Sequence, residues 1–125
     1  MHKIEGHWAT HDIYFDGKRI DLSKGLEIIS HSPSGFNWGY GGSGPAQTAF
    51  GILNEILPPH QAISLHQDFK WEFIALMAQG EDFVLEIDIE KWAKEKSSAI
   101  EKLNNKPYPP GARYGFLKRE NLKKS

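Results

Sequence analysis

The chain has 125 residues, of which 39% are hydrophobic and 25% are charged, a composition typical of one globular domain with a single core. No apolar run reaches the roughly 18 residues of a membrane-spanning helix and no secretory signal is visible, so we expect a cytoplasmic protein. The lack of cysteine excludes disulfides, thiolate nucleophiles and cysteine zinc sites, and a net charge of −1 gives no electrostatic reason to expect nucleic-acid binding by the chain as a whole.

The first 30 residues are predicted to form short strands. Asp16-Gly17 lies between the strand-forming segments 13–15 and 18–20, and this dipeptide favours the two-residue turn of a β-hairpin. Residues 26–29 alternate weakly between apolar and polar side chains, which predicts a third strand.

Three histidines, His2, His7 and His11, lie in the same region. His7 and His11 are four residues apart, a spacing that brings two imidazoles together on a helix but not on a strand. Because the region is predicted to be strand and turn, we predict no metal site here.

A glycine-rich loop over residues 35–45 is the most distinctive part of the sequence, with four glycines among the six residues from Gly39 to Gly44. Glycine tolerates positive φ and close approach to the backbone, and the following Pro45 suits the first turn of a helix. We predict that the loop leads directly into a helix N-terminus, where unpaired N–H groups and the helix dipole favour an anion. The pattern lacks the lysine of a Walker loop and the βαβ context of a dinucleotide fingerprint.

The first long helix is predicted over residues 45–57, with an apolar stripe that faces the core. Gly44 is its predicted N-cap. Gln47 follows three residues later, so its side chain is placed to reach back to the N–H of Gly44 as in a capping box.

A second helix is predicted over residues 59–79, and two of its polar residues fall inside its apolar arc. These are His66 and Lys70, one turn apart. A buried lysine needs a partner, and we expect either the carboxylate of Glu55 or an anion held by the glycine loop, unless the side chain extends past the edge of the core to solvent. Trp71 points away from the arc, so it packs on another element or marks an interface.

Residues 83–87 are predicted to form a strand, and Asp88 is the predicted N-cap of a third helix that ends at about residue 104. The C-terminal segment 106–125 contains prolines and carries a net charge of +5. We interpret it as a solvated basic tail, with contact to phosphates as the alternative.

These elements predict a single α+β domain over residues 1–105 and a tail over residues 106–125. The expected fold is a small antiparallel sheet, made of the N-terminal hairpin and one or two further strands, packed against two or three helices.

The stretch from His31 to Gln47, with the letters HSPSGFNWGYGGSGPAQ, resembles the signature HSPTGFxWGYGGSGPAQLALALL of an uncharacterised domain family found in bacteria, archaea and their viruses. The segment Gln67 to Glu72 is similar to a later helix motif of that family. The resemblance spans about residues 12–95, and the chain departs from the pattern at Ser34 and Thr48. It implies that the glycine loop and Lys70 belong to one shared group of residues. It also implies an association with viruses, and sequestering a host nucleotide signal is one function that fits this association.

We therefore predict a binding module for an anionic small molecule or nucleotide-like ligand. The backbone amides of residues 41–44 would cradle the charge and Lys70 would be its counter-ion. Trp38 or Tyr40 would stack on a ring of the ligand. The predicted ligand-binding residues are His31, Asn37, Trp38, Tyr40, Gly41, Gly42, Ser43, Gly44, Gln47, His66 and Lys70.

Two alternatives stay open. The first is a protein–protein or nucleic-acid interaction module that uses Trp71 and the basic tail as its contact surface. The second is a hydrolase with His31 or His66 as the base. Because the spacing of residues reveals no set of nucleophile, base and orienting group, we predict no catalytic residue, and we predict no cofactor or metal.

Overall fold

An antiparallel sheet of four strands forms one layer of the protein in the computed structural model, which describes residues 1–104. The strands are β1 (His2–His7), β2 (Asp12–Phe15), β3 (Lys18–Arg19) and β4 (Phe83–Ile87). Their spatial order is β3-β2-β1-β4, so β1 is the strand between the hairpin and the later β4. Ile4 in β1 pairs with Phe15 on one side and with Leu85 on the other.

The predicted hairpin turn is confirmed. Asp16 and Gly17 have φ angles of 50° and 86°, and a type I′ turn requires positive φ at both of its central residues. Phe15 and Lys18 therefore pair directly across the turn.

Residues 1–104 also form four helices, and the predicted α+β class is confirmed. They are α1 (Leu22–Leu26), α2 (Ser43–Asn54), α3 (Pro59–Phe69), which continues into a π-helical turn (Lys70–Ile74), and α4 (Ile89–Asn104). Within residues 1–104, none of them combines the length and the apolarity needed to cross a bilayer.

The prediction of a strand over residues 26–29 is wrong. The short helix α1 ends there instead, and Asp21 caps it by accepting a hydrogen bond of 3.0 Å from the N–H of Ser23. A helix cap from a nearby side chain stabilises the helical conformation, whereas a weak alternation of apolar and polar residues stabilises a strand only when a neighbouring strand pairs with it.

The second predicted helix is shorter than expected, since α3 ends at Phe69. The N–H of Ala75 bonds to the carbonyl of Lys70 at 2.8 Å, a spacing of five residues rather than four. The wider turn takes up an extra residue, and this changes the direction of the side chains from Lys70 onward relative to a regular helix.

Helix α2 is the central element of the core, and all ten of its residues from Gly44 to Leu53 are buried. The largest fully buried side chains include Phe50 of this helix together with Trp38 and Phe69. The helix begins two residues earlier than predicted, with Gly42 rather than Gly44 as its N-cap, and ends at Asn54.

The C-terminal part of the prediction is confirmed as far as residue 104. Strand β4 covers the predicted residues 83–87, and the carboxylate of Asp88 accepts a hydrogen bond of 3.1 Å from the N–H of Lys91 at the start of α4. The predicted tail of residues 106–125 lies outside the described residues.

Candidate functional site

A polar cleft of about 550 Å³ lies at the N-terminus of α2. Three parts of the chain form its walls: the turn after β1, the loop before α2, and the glycine-rich loop. The lining residues are Thr10, His11, Ser32, Ser34, Gly35, Phe36, Asn37, Tyr40, Ser43 and Gly44. Because none of these described residues is acidic, a bound anion would meet no repelling carboxylate in the walls.

The first turn of α2 opens onto this cleft through Ser43 and Gly44. The N-cap residue Gly42 has no side chain with which to accept a hydrogen bond from this turn. The N–H groups at the start of a helix have no partner within the helix, and the dipole of a 12-residue helix adds positive potential there. The turn therefore offers hydrogen-bond donors to an anion.

Asn37 is held at the cleft by its backbone N–H and by the oxygen of its side-chain amide. Its N–H donates to the hydroxyl of Thr48 at 2.8 Å, and its Oδ1 accepts from the N–H of Trp38 at 2.9 Å. Among the described residues, none accepts a hydrogen bond from the Nδ2 group of Asn37, so that donor is available to a ligand.

His11 also lines the cleft, and it was not among the predicted ligand-binding residues. Its Nδ1 lies 2.8 Å from the carbonyl oxygen of Phe36 and donates to it. In the neutral ring, Nε2 is then a hydrogen-bond acceptor. The ring packs between Trp8 and Trp38, with centroid distances of 4.5 and 5.7 Å. Its backbone φ of 60° lies in the left-handed region, which few non-glycine residues adopt, so the sequence pattern alone does not mark this turn.

Trp38, which the sequence suggested as a stacking residue, is fully buried. Its indole N–H donates to the carbonyl of Glu81 at 2.9 Å, so the ring belongs to the core and offers no open face to a ligand. Tyr40 is 39% exposed and lines the cleft, and it is the aromatic residue that fits the predicted role.

Gln47 does not form the predicted capping box. Its fully buried Oε1 accepts from the backbone N–H groups of His31 at 2.6 Å and Ser32 at 3.1 Å, and its Nε2 donates to the carbonyl of Ile29 at 3.0 Å. Both lone pairs of the amide oxygen are used within the protein. Gln47 therefore fixes the loop that carries His31, a structural role that positions the cleft.

Lys70 is buried, as predicted, but among the described residues its partner is not the expected carboxylate of Glu55. Glu55 forms an ion pair with Lys24 at 3.2 Å instead. The Lys70 ammonium donates to the carbonyl of Gly41 at 3.1 Å and lies 4.2 Å from the centre of the Trp71 ring. No carboxylate among the described residues pairs with it, so its positive charge lies beside the glycine loop without a neutralising acid.

At two positions the glycine loop approaches residues outside the loop too closely for a side chain. A Cβ atom at Gly41 would lie 2.1 Å from the indole of Trp71, and one at Gly39 would lie 2.7 Å from the backbone of Gln79. Gly39 also has a φ of 90°, which favours glycine. Glycine at these two positions therefore allows the loop to pack closely against the π-helical turn and against Gln79.

His31 and His66 meet beneath this loop, with 3.0 Å between their Nε2 atoms. His66 is buried, and its Nδ1 donates to the carbonyl of Ile63 at 2.7 Å. Burial lowers the pKa of His66 below its usual value, and the nearby His31 and Lys70 lower it further. A neutral His66 therefore accepts a hydrogen bond from His31.

The structure thus divides the predicted site residues into two neighbouring groups joined by Gly41 and Gly42. One group lines the cleft and comprises Asn37, Tyr40, Ser43 and Gly44. The other lies around the start of the π-helical turn and comprises His31, His66 and Lys70. Within residues 1–104, no three His, Cys, Asp or Glu side chains come together in a way that would hold a metal ion.

Comparison with known proteins places the chain in a family. No curated protein and no solved structure matches it. A family model described as "Family of unknown function (DUF6166)" matches residues 4–95, which include most of β1, strands β2 to β4 and helices α1 to α3. The resemblance to an uncharacterised domain family is confirmed, and the chain belongs to this family of unknown function.

Proposed function

We propose that the protein is a binding module for an anionic small molecule of the phosphate or nucleotide type, held in the cleft at the N-terminus of α2. The observation that carries the proposal holds for the described residues: the first turn of α2 has no side-chain cap, the Nδ2 group of Asn37 has no acceptor, and both meet in a cleft whose lining contains no acidic side chain. Helix N-termini of this kind bind anions through N–H groups and the helix dipole.

The size and chemistry of the cleft support a small ligand. A volume of about 550 Å³ lies within the usual range of ligand pockets, roughly 300–1,000 Å³. Hydroxyl groups of Ser32, Ser34 and Ser43 and the phenol of Tyr40 provide further hydrogen-bond donors on its walls. Several donors and no acidic group favour a ligand that is rich in acceptor oxygens.

Lys70 adds to the electrostatic argument without touching the cleft. Its ammonium reaches the carbonyl of Gly41, three residues before the Gly44 that lines the cleft. A buried positive charge without a paired carboxylate raises the positive potential of its surroundings, because the protein interior screens charge weakly. Lys70 would therefore strengthen anion binding at a distance.

The test is ligand binding by the full chain and by the variant Asn37→Asp, measured by calorimetric titration with inorganic phosphate, pyrophosphate and nucleotides. Aspartate keeps the acceptor that Trp38 uses and places a negative charge at the cleft. We expect the anion affinity to fall at least tenfold in Asn37→Asp. Gln79→Glu is the matched control, since it adds the same charge at an exposed residue outside the cleft. Absence of binding by wild type across the panel, or equal loss in both variants, would refute the proposal.

The second candidate function is an interaction module that binds a protein through exposed apolar side chains. The exposure of Trp71 at 57% and of Leu76 at 76% favours it. Its test is the effect of Trp71→Ala on association with other chains, and the titrations with small anions separate it from the first proposal.

A further inference from the structure

Trp71 is the most exposed aromatic side chain among the described residues, at 57%. It lies in the π-helical turn, next to the buried Lys70. Leaving a large apolar ring in water forfeits the free energy that its burial would provide. Neither the core nor the cleft described above uses this ring.

The indole is nevertheless held in one orientation. The ammonium of Lys70 lies 4.2 Å from the ring centre, and that ammonium is itself bonded to the carbonyl of Gly41. The edge of the same ring fills the space that a Cβ at Gly41 would occupy, at 2.1 Å from that position. An exposed ring that is fixed in advance loses little conformational entropy when a second ring stacks on it.

Two glycines connect this ring to the cleft. Trp71 packs on Gly41, and the ring of Tyr40, which lines the cleft, packs on Gly42. Trp71 and the cleft residue Tyr40 therefore pack on consecutive residues of the glycine loop, and the ammonium of Lys70 bonds to the carbonyl of the first of them.

We propose that Trp71 is a stacking platform for an aromatic base, and that the ligand of the cleft is a nucleoside phosphate rather than a simple anion. This inference rests on the proposed function, since it assigns the base-binding part of the same site. Stacking of a base on an aromatic side chain contributes about tenfold or more to affinity and tolerates different bases.

The experiment compares three probes, pyrophosphate, adenosine diphosphate and adenosine, by titration calorimetry on the full chain. Wild type is expected to bind adenosine diphosphate at least tenfold more tightly than pyrophosphate. Trp71→Ala is expected to remove that advantage while leaving the affinity for pyrophosphate unchanged. Trp71→Phe, which keeps an aromatic face, should retain most of it. Leu76→Ala is the matched control, because Leu76 is also an exposed apolar residue and should have no effect.

The outcomes separate this inference from the proposed function. If pyrophosphate and adenosine diphosphate bind wild type equally, the stacking platform is refuted while the anion site stands. If Trp71→Ala loses affinity for both pyrophosphate and adenosine diphosphate, the role of Trp71 is to position Lys70, and stacking is again refuted. If Trp71→Ala changes only the association of the chain with other proteins, the ring is a protein contact and the inference fails. If no probe binds wild type, both the proposed function and this inference fail.

Discussion

The Nε2 atoms of His31 and His66 lie 3.0 Å apart, and the bond between them ties the loop before the glycine-rich segment to helix α3. The Nδ1 of His66 donates to the carbonyl of Ile63, so its Nε2 carries the lone pair and the Nε2–H of His31 donates to it. A protonated His66 would lose this acceptor and would face both the imidazole of His31 and the ammonium of Lys70.

The first prediction concerns pH. Burial lowers the pKa of His66 in the folded state, while the unfolded chain keeps a histidine pKa near 6.5. The unfolded state therefore binds more protons below about pH 6.5, and the free energy of unfolding should fall as the pH drops below that value. The slope from this one group is at most about 1.4 kcal/mol per pH unit.

Urea unfolding between pH 8 and pH 5 measures this slope. The variant His66→Gln keeps an acceptor for His31 but does not titrate, so its stability should depend less on pH than that of wild type. Equal pH slopes for the two proteins would show that His66 is not the group responsible for the pH dependence of stability.

The second prediction concerns Gln47. Replacing it with alanine removes the acceptor of the N–H groups of His31 and Ser32 and the donor to Ile29, all in a partly buried region. Unpaired polar groups of this kind cost about 1–3 kcal/mol each, so we expect a loss of at least about 2 kcal/mol in the free energy of unfolding. Chemical denaturation measures it.

Hydrogen exchange checks the assignment of that loss to the loop. The amides of His31 and Ser32 should exchange faster in Gln47→Ala than in wild type, relative to amides in the sheet. Gln79→Ala is the control, since Gln79 is exposed. Unchanged protection of the two loop amides would contradict the role given to Gln47.

The third prediction concerns the contact of Gly41 with Trp71. In Gly41→Ala the new Cβ would collide with the indole, and the ring would have to turn away from the loop. We expect a loss of about 1 kcal/mol in the free energy of unfolding and a changed tryptophan fluorescence spectrum.

A double-mutant cycle tests this contact directly. The substitution Gly41→Ala should cost markedly less in a Trp71→Ala background, because the obstructing ring is absent there. The same cost in both backgrounds would show that the glycine is needed for another reason.

The fourth prediction concerns Lys70. Replacement of Lys70 with methionine keeps most of the side-chain volume and removes a buried charge that pairs with no carboxylate of residues 1–104. The free energy of unfolding without ligand should change by no more than about 1 kcal/mol, since apolar replacement of a buried charge is often neutral. Pyrophosphate affinity should fall severalfold because the positive potential is lost.

This prediction requires that Lys70→Met lower the affinity for pyrophosphate while leaving the stability of the free protein nearly unchanged. Thermal unfolding with and without pyrophosphate shows both quantities in one experiment. A ligand at about one hundred times its Kd adds roughly 2.7 kcal/mol, which for a domain of this size is on the order of 10 °C in Tm. If the shift in Lys70→Met equals that of wild type, Lys70 has no part in binding.

Several elements of the fold could be predicted because their signals lie within a few neighbouring residues. The turn at Asp16-Gly17 depends on two residues that accept positive φ. The start of α4 depends on Asp88, whose carboxylate caps the next turn. The burial of His66 and Lys70 follows from their place in a helical period.

The widened turn after Phe69 and the strand expected at residues 26–29 show the limits of such signals. A π-helical turn involves one extra residue in a continuous helix, and the hydrophobic pattern alone does not mark it. The apparent strand had alternation but no partner, and pairing is a property of the sheet rather than of the segment.

By itself, then, the sequence determined the elements and the stretch where they converge, since helix periodicity, turn chemistry and glycine content act locally. Only the tertiary structure decided which side chains meet there. Trp38 became a core residue, Gln47 a clamp on the loop and His11 part of the cleft wall, while Trp71 remained exposed over Gly41. These relationships join residues between 15 and 43 positions apart along the chain, and packing rather than local propensity sets them.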